Sequence, residues 1–202
     1  MTELLPVQVE ALNRAKDKVG YIYGMEPGLG KTLTVLTEFK QLQARGVVQR
    51  LLVVCPNSLI GTWIDEIGKH NIIVSVRHLG EISLNGKSIV WPTVGLMNYE
   101  GMIHSGGKAA RRFARLGGTM LVLDESAKIK SPKALVSIFI RQEISVHCKI
   151  VRCLNGTPMT ESAMDLWPQL RVCGDLVGVN MYAWRNTHMV MGGFKNKKMI
   201  AR

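Results

Sequence analysis

Two apolar runs, Leu51 to Cys55 and Thr119 to Leu123, constrain this chain more than any other feature. A strand with one face in water alternates apolar and polar residues, whereas a run that stays apolar at successive positions reads as a strand covered on both faces. Further strand candidates lie at Tyr21 to Tyr23, Ser75 to Leu79, Val94 to Met97 and Lys149 to Leu154, with helical or turn-rich segments between them. This alternation predicts an α/β fold, a mainly parallel β-sheet with helices on both faces.

The helical segments carry their own signals. Val7 to Lys18 places Val7, Val9, Leu12 and Ala15 at helical spacing, and Lys31 to Arg45 is closed by Gly46. Ser58 reads as the N-cap of a helix reaching about His70. Lys108 to Leu116, Ala134 to Ile144 and Ser162 to Val172 complete the set, whereas Gly174 to Arg202 is rich in Gly, Asn, Met and Lys and shows no clean period. The expected organisation is a domain over residues 1–172 followed by an extension or linker over 173–202.

With 202 residues, 47% hydrophobic and 20% charged, the chain has enough apolar material for one globular core, which excludes a disordered or collagen-like chain. Its 26 Lys plus Arg against 15 Asp plus Glu give a net charge of +11. That charge suits an anionic partner such as nucleic acid, and equally a solubilising surface. Cys55, Cys148, Cys153 and Cys173 include no C-x-x-C pair, so neither a disulfide framework nor a zinc ribbon is expected. No apolar run approaches the roughly 20 residues that span a bilayer, and the N-terminus lacks a signal-peptide layout. The expected setting is reducing and cytoplasmic, with no membrane partner.

Chemistry concentrates in two places. Gly24-Met25-Glu26-Pro27-Gly28-Leu29-Gly30-Lys31-Thr32 lies between a buried strand and a helix, where backbone N–H groups can curl around phosphate oxygens. Lys31 would reach the β- and γ-phosphates and Thr32 would ligate Mg²⁺, although Met25 stands where the strict G-x-x-x-x-G-K-S/T pattern has its first glycine. The other reading is a Gly-rich turn before a helix. Leu121-Val122-Leu123-Asp124-Glu125 is an apolar strand ending in two carboxylates, with Asp124 suited to Mg²⁺ and Glu125 to orienting and deprotonating water. An acidic helix N-terminus is the plain alternative for that pair.

These segments resemble, in order, the first ATPase lobe of superfamily 2 helicases, most closely the Swi/Snf-type double-stranded DNA translocases with their phage and bacterial relatives. Leu4-Leu5-Pro6-Val7-Gln8 is similar to the family's L-R-P-Y-Q, and Glu26 to Thr32 to its E-M-G-L-G-K-T, which also lacks the first glycine. Cys55-Pro56-Asn57-Ser58-Leu59 followed by Trp63 resembles motif Ia, and Leu96-Met97-Asn98-Tyr99-Glu100 the later T-S-Y-E segment. Asp124 to Ser131 aligns with D-E-A-H-R-I-K-N, Leu154 to Pro158 with L-T-G-T-P, and Leu166-Trp167 with L-W.

The resemblance implies a RecA-like P-loop NTPase lobe that takes ATP and Mg²⁺. Gln8 would position adenine, and Glu26, Gly28, Leu29, Gly30, Lys31 and Thr32 would cradle the phosphates and metal. Asp124 would hold Mg²⁺ with Thr32, Lys31 and Glu125 would join it in catalysis, and Asn57, Ser58, Asn98, Tyr99, Lys130 and Thr157 would lie toward double-stranded DNA. Ala127 stands where relatives carry a histidine that couples the nucleotide site to the DNA-facing motif. Family members continue into a second lobe with arginine fingers, which are worth roughly 10³ to 10⁵ in turnover rate. The implied protein is thus an ATP-binding lobe with little hydrolysis until a second lobe is supplied, in trans or by a continuation approached through Val190 to Phe194, in a bacterial cell or phage-infected host. A catalytically silent DNA- or protein-binding module is the rival reading. A small phosphotransferase with the same loop is a third, poorly served by the N-G-T-P strand end.

Lys108, Arg111, Arg112 and Arg115 form a basic cluster, with Lys128, Lys130 and Lys133 after the carboxylates and Lys195, Lys197, Lys198 and Arg202 at the end. Each of the first two sets reads either as a phosphate contact or as a solvated face, and the last as a flexible basic end rather than a specific site. Trp63, Trp91, Trp167 and Trp184 are scattered, which favours packing over base stacking. His70, His78, His104, His147 and His188 lack ligand spacing, and the 11 methionines, with several at Met189, Met191 and Met199, suit either an adaptable partner surface or a core.

Overall fold

The computed structural model describes residues 3–70, 74–84, 89–158, 163–175, 179–192 and 198–201. Six strands form one sheet: β1 (Gly20–Tyr23), β2 (Arg50–Cys55), β3 (Val76–His78), β4 (Val94–Asn98), β5 (Thr119–Asp124) and β6 (Ile150–Leu154). Their order across the sheet is β1-β6-β5-β2-β4-β3, and each neighbouring pair is parallel. Parallel neighbours need crossovers. These are α2 (Lys31–Ala44) after β1, α3 (Ile60–Lys69) after β2, α4 (Tyr99–Met102) with α5 (Ser105–Ala114) after β4, and α6 (Leu135–Phe139) after β5. Helix α1 (Pro6–Ala15) precedes β1, and α7 (Leu166–Cys173) follows β6.

Strand parity explains the unbroken apolar runs. Leu51, Val53, Cys55, Met120 and Val122 face one way, packing with Ala15 of α1, Val35 and Phe39 of α2, and Trp63 and Ile67 of α3. Leu52, Val54, Leu121 and Leu123 face the other, against Met102, Phe113, Ile140, Ile144 and Val172. Each such side chain contributes roughly 1.5–3 kcal/mol by leaving water, so both faces of the central strands stabilise the sheet.

One charged group lies inside the first of these layers. Arg152 of β6 is 1% exposed, and its guanidinium donates to both carboxylate oxygens of Glu38 (2.7–3.1 Å) and to the carbonyls of Val19 (3.1 Å) and Lys18 (3.1 Å). Tyr23 of β1 donates its hydroxyl to Glu38 as well (2.9 Å), and burial followed by the Glu38 charge pushes that phenol upward. The group joins α2, β1, β6 and the turn after α1.

Three expectations need correction. Ser58 does not cap the helix: a 3₁₀ turn spans Asn57–Leu59, and α3 starts from Leu59 without a side-chain cap. Pro56, just past β2, has an extended backbone that the tight turn follows, so the helix begins one residue late. The helix expected over Ala134 to Ile144 is α6 followed by a π turn at Ile140–Ile144, whose wider spacing puts both Ile140 and Ile144 into the core. Beyond Gly174, a further helix α8 (Met181–His188) and an antiparallel pair β7 (Met189–Gly192) and β8 (Lys198–Ala201) stand where no period was visible, because four-residue strands are too short to display one. Gly193, Phe194, Lys195, Lys197, Arg202 and the expected helix start at Ser162 lie outside the described residues. No helix among the described residues is long and apolar enough to cross a membrane.

Candidate functional site

Register builds the site. Tyr23 pairs with Leu154, and Leu154 with Asp124, so β1, β6 and β5 end level and deliver three loops side by side at the carboxyl edge of the sheet. Cys55 pairs with Asn98 in the same way, placing the ends of β2 and β4 next along that edge. Ligands of open α/β sheets bind at this edge.

The first loop runs from Gly24 into α2. Gly28 and Gly30 take φ of +83° and +71°, which side chains with a Cβ rarely adopt. A Cβ at Gly30 would in addition strike the amide of Gln8. Gln8 is 2% exposed, and its Nε2 donates to the carbonyls of Leu29 (3.0 Å) and Gly30 (3.3 Å) while its Oε1 accepts from Leu5 N (2.9 Å). The glutamine expected to position adenine therefore clamps the loop from behind. Lys31 reaches back across the loop, its Nζ donating to the carbonyls of Met25 (2.9 Å) and Glu26 (3.2 Å). The amides of Lys31, Thr32 and Leu33 precede the first helical bond, made by Thr34 N to Gly30 O (3.0 Å), so the helix presents donors and the positive end of its dipole beside the glycines. Residues in this arrangement fit a polyphosphate.

The second loop begins at Asp124. Its Oδ2 accepts from Trp63 Nε1 (2.9 Å) and its Oδ1 from Glu125 N (3.0 Å). Burial raises the carboxyl above its ordinary value, and the indole donor, the Glu125 amide and the Lys31 charge oppose that rise. Lys31, distant in the chain, thus stands near enough for its charge to act on Asp124. Glu125 sits at φ +51°, which leaves its own side chain exposed while the next residue, Ser126, turns inside. Burial and the neighbouring Asp124 charge push the Cys55 thiol up to about 12, so it is a packing residue here rather than a nucleophile.

The third loop, Asn155 to Pro158, lies against the first: a Cβ on Gly156 would approach Pro27 Cδ to 3.0 Å. Thr157 is exposed, and its amide donates to Asn155 Oδ1 (3.2 Å). Ser126 Oγ donates to Gln169 Oε1 of α7 (2.7 Å), and Gln169 Nε2 donates to Pro158 O (2.8 Å). Sequence reading missed Gln169 altogether and gave Trp63 no role toward Asp124. Neither had a local signal, since each acts through a contact between distant segments.

Among residues expected to face DNA, Asn57 and Ser58 are exposed, and Asn98 is half-buried with its Nδ2 donating to Asn57 Oδ1 (3.2 Å). Lys130 is half-buried at the end of the short turn after Glu125. Tyr99 is 4% exposed, and its hydroxyl donates to the Asp124 carbonyl (2.8 Å), so it supports the acid strand from inside. The arginine cluster is paired within the molecule, Arg111 with Glu143 (3.1 Å) and Arg115 with Glu143 (3.9 Å) and His147 (3.1 Å). That pairing favours a structural face over a phosphate track.

A six-stranded parallel sheet, a glycine loop opening a helix at its carboxyl edge, and an acid-tipped strand two positions along define a RecA-like α/β lobe. The chain belongs to the SNF2-related domain family, whose profile matches residues 7–189. The ATP-dependent helicase YqhH of Bacillus subtilis is 26% identical over 167 residues, covering 81% of this chain and 28% of that protein. The DNA repair protein RAD5B of Arabidopsis thaliana is 34% identical over 128 residues, covering 59% of this chain and 10% of that protein. The chain therefore spans less than a third of the length of either relative. The Sulfolobus solfataricus SWI2/SNF2 ATPase core in complex with dsDNA superposes with a TM-score of 0.76 at 20% identity, covering 93% of this chain and 39% of that one.

Proposed function

We propose that this chain is the first, ATP-binding lobe of a Swi/Snf-like DNA translocase of phage or bacterial type, working inside the cell on double-stranded DNA. The supporting observation is the level ending of β1, β6 and β5, which gathers Lys31, Thr32, Asp124 and Glu125 at one edge, with the Lys31 charge reaching Asp124. Lys31 and the first amides of α2 would hold the phosphates, Thr32 and Asp124 would hold Mg²⁺, and exposed Glu125 would orient water. Bound Mg²⁺ supplies charge neutralisation at the phosphates. Gln8 fixes the loop that receives them. Asn57, Ser58, Asn98 and Thr157, along the same edge, form the path toward duplex DNA.

The relatives, several times longer than this chain, support a division of labour in which a second lobe completes the catalytic site. The lobe alone hydrolyses slowly, and a second lobe raises turnover by roughly 10³ to 10⁵ if it brings an arginine finger. The test is calorimetric titration with an ATP analogue and Mg²⁺ on the wild type and on Lys31→Ala. Binding by the wild type, weakened at least tenfold in the variant, supports the nucleotide lobe. Equal behaviour of the two proteins, with DNA affinity indifferent to nucleotide, would favour the silent binding module.

A further inference from the structure

We infer that Ser126 and Gln169 are positioning residues that transmit nucleotide state from the Asp124–Glu125 strand end to the Asn155–Pro158 loop. This rests on the nucleotide-lobe reading above and assigns that lobe its internal link.

Both side chains are 0% exposed, in a region whose other members include the apolar Ile129, Val172 and Cys173. Burying a hydroxyl and a carboxamide is unfavourable unless each is bonded, and an apolar pair would pack such an interface without that cost. Here the bonding is complete. The Ser126 hydroxyl donates to Gln169 Oε1 (2.7 Å), and the two hydrogens of Gln169 Nε2 go to Pro158 O (2.8 Å) and Asp165 O (2.9 Å). One carboxamide thus fixes the acid strand end, the third loop and the start of α7 relative to one another.

Position gives the link its consequence. Ser126 is the next residue after Glu125, whose left-handed backbone turns the chain inward at this point. Pro158 closes the loop that touches Pro27 of the glycine loop through Gly156 and carries exposed Thr157 on its outer side. That loop also holds an unfulfilled group: Asn155 Nδ2 is buried without a hydrogen-bond partner among the described residues, a cost that a second arrangement of the loop can relieve. Ala127, beside Ser126, has no polar side-chain atom with which to reach the loop. The Ser126–Gln169 pair makes the connection one residue earlier, through α7.

The experiment measures the affinity of the full chain for a short fluorescein-labelled DNA duplex by anisotropy, with and without Mg²⁺ and adenylyl-imidodiphosphate. It compares the wild type with Ser126→Ala, Gln169→Met and the double variant, all checked by thermal melting. The wild type should show a nucleotide-dependent change of about fivefold or more, the lower range of ordinary coupling between sites. Each single variant should bring that ratio to within about twofold of one while nucleotide affinity stays unchanged, and the double variant should lose no more than either single, as one shared link requires. A merely structural role would lower the melting temperature and leave the ratio intact, and that result overturns the proposal. A wild type that binds nucleotide but shows no change in DNA affinity also overturns it, leaving the nucleotide lobe standing. A wild type that binds no nucleotide removes the lobe reading and this inference together.

Discussion

Single residues in this protein do their work from inside. Glu38 and Arg152 make a buried ion pair with the Arg152 donors spread over Glu38 and several backbone carbonyls. Removing one partner of such a pair leaves an uncompensated buried charge, so Glu38→Ala should lower unfolding free energy by about 3–5 kcal/mol in urea denaturation. Replacing both, as Glu38→Leu with Arg152→Met, should cost clearly less than the single change. If the single variant is as stable as the wild type, water reaches this pair and the buried account is wrong. Trp63 is a second case, because its indole N–H is one of two donors to the Asp124 carboxylate. Trp63→Phe should destabilise the fold by roughly 1.5–3 kcal/mol, the range for hydrogen bonds to a charged group. Near-identical denaturation midpoints would show that the indole only fills space.

Elements matter through where they end. A strand that finished one residue later would carry its loop past the common edge, and the parallel register prevents this by matching Tyr23, Leu154 and Asp124. Helix α5 shows the converse, an element whose charges have already found partners. Arg111 and Arg115 point to Glu143 on the neighbouring π turn, half-exposed ion pairs of the kind worth about 0–1 kcal/mol. The double change Arg111→Ala with Arg115→Ala should therefore leave duplex affinity within about twofold and shift stability by no more than that range. A tenfold loss of DNA binding would return this helix to the nucleic-acid surface.

At the scale of the whole molecule, a net charge of +11 on 202 residues sets the expectation for an anionic partner. If DNA is bound through its backbone, the logarithm of the affinity should fall with the logarithm of salt concentration by about 0.9 for each phosphate neutralised. Titrations at several salt concentrations read that slope, and a flat line would exclude a path in which Lys and Arg side chains neutralise backbone phosphates. The same measurement separates a specific path from diffuse attraction when repeated on Thr157→Ala, which removes a hydroxyl and no charge. A path through this loop predicts weaker binding with an unchanged slope.

Much of this protein was written locally. The apolar runs at Leu51 to Cys55 and Thr119 to Leu123, together with the helical segments between strands, determined a parallel α/β sheet, because burial on both faces shows in a short stretch and helices alternating with strands supply the crossovers that parallel neighbours need. The glycines ahead of Lys31 and the two acids ending β5 were legible for the same reason. Contacts between remote segments were not. That Gln8 clamps the glycine loop, that Tyr99 is buried under Asp124, that Trp63 donates to that acid, and that Gln169 ties Ser126 to Pro158 emerged only when strand order and register brought those segments together. A sequence displays the period of each element, but hydrogen bonds of 2.7–3.0 Å from a side chain of one segment to a side chain or carbonyl of another depend on the packing of all of them at once.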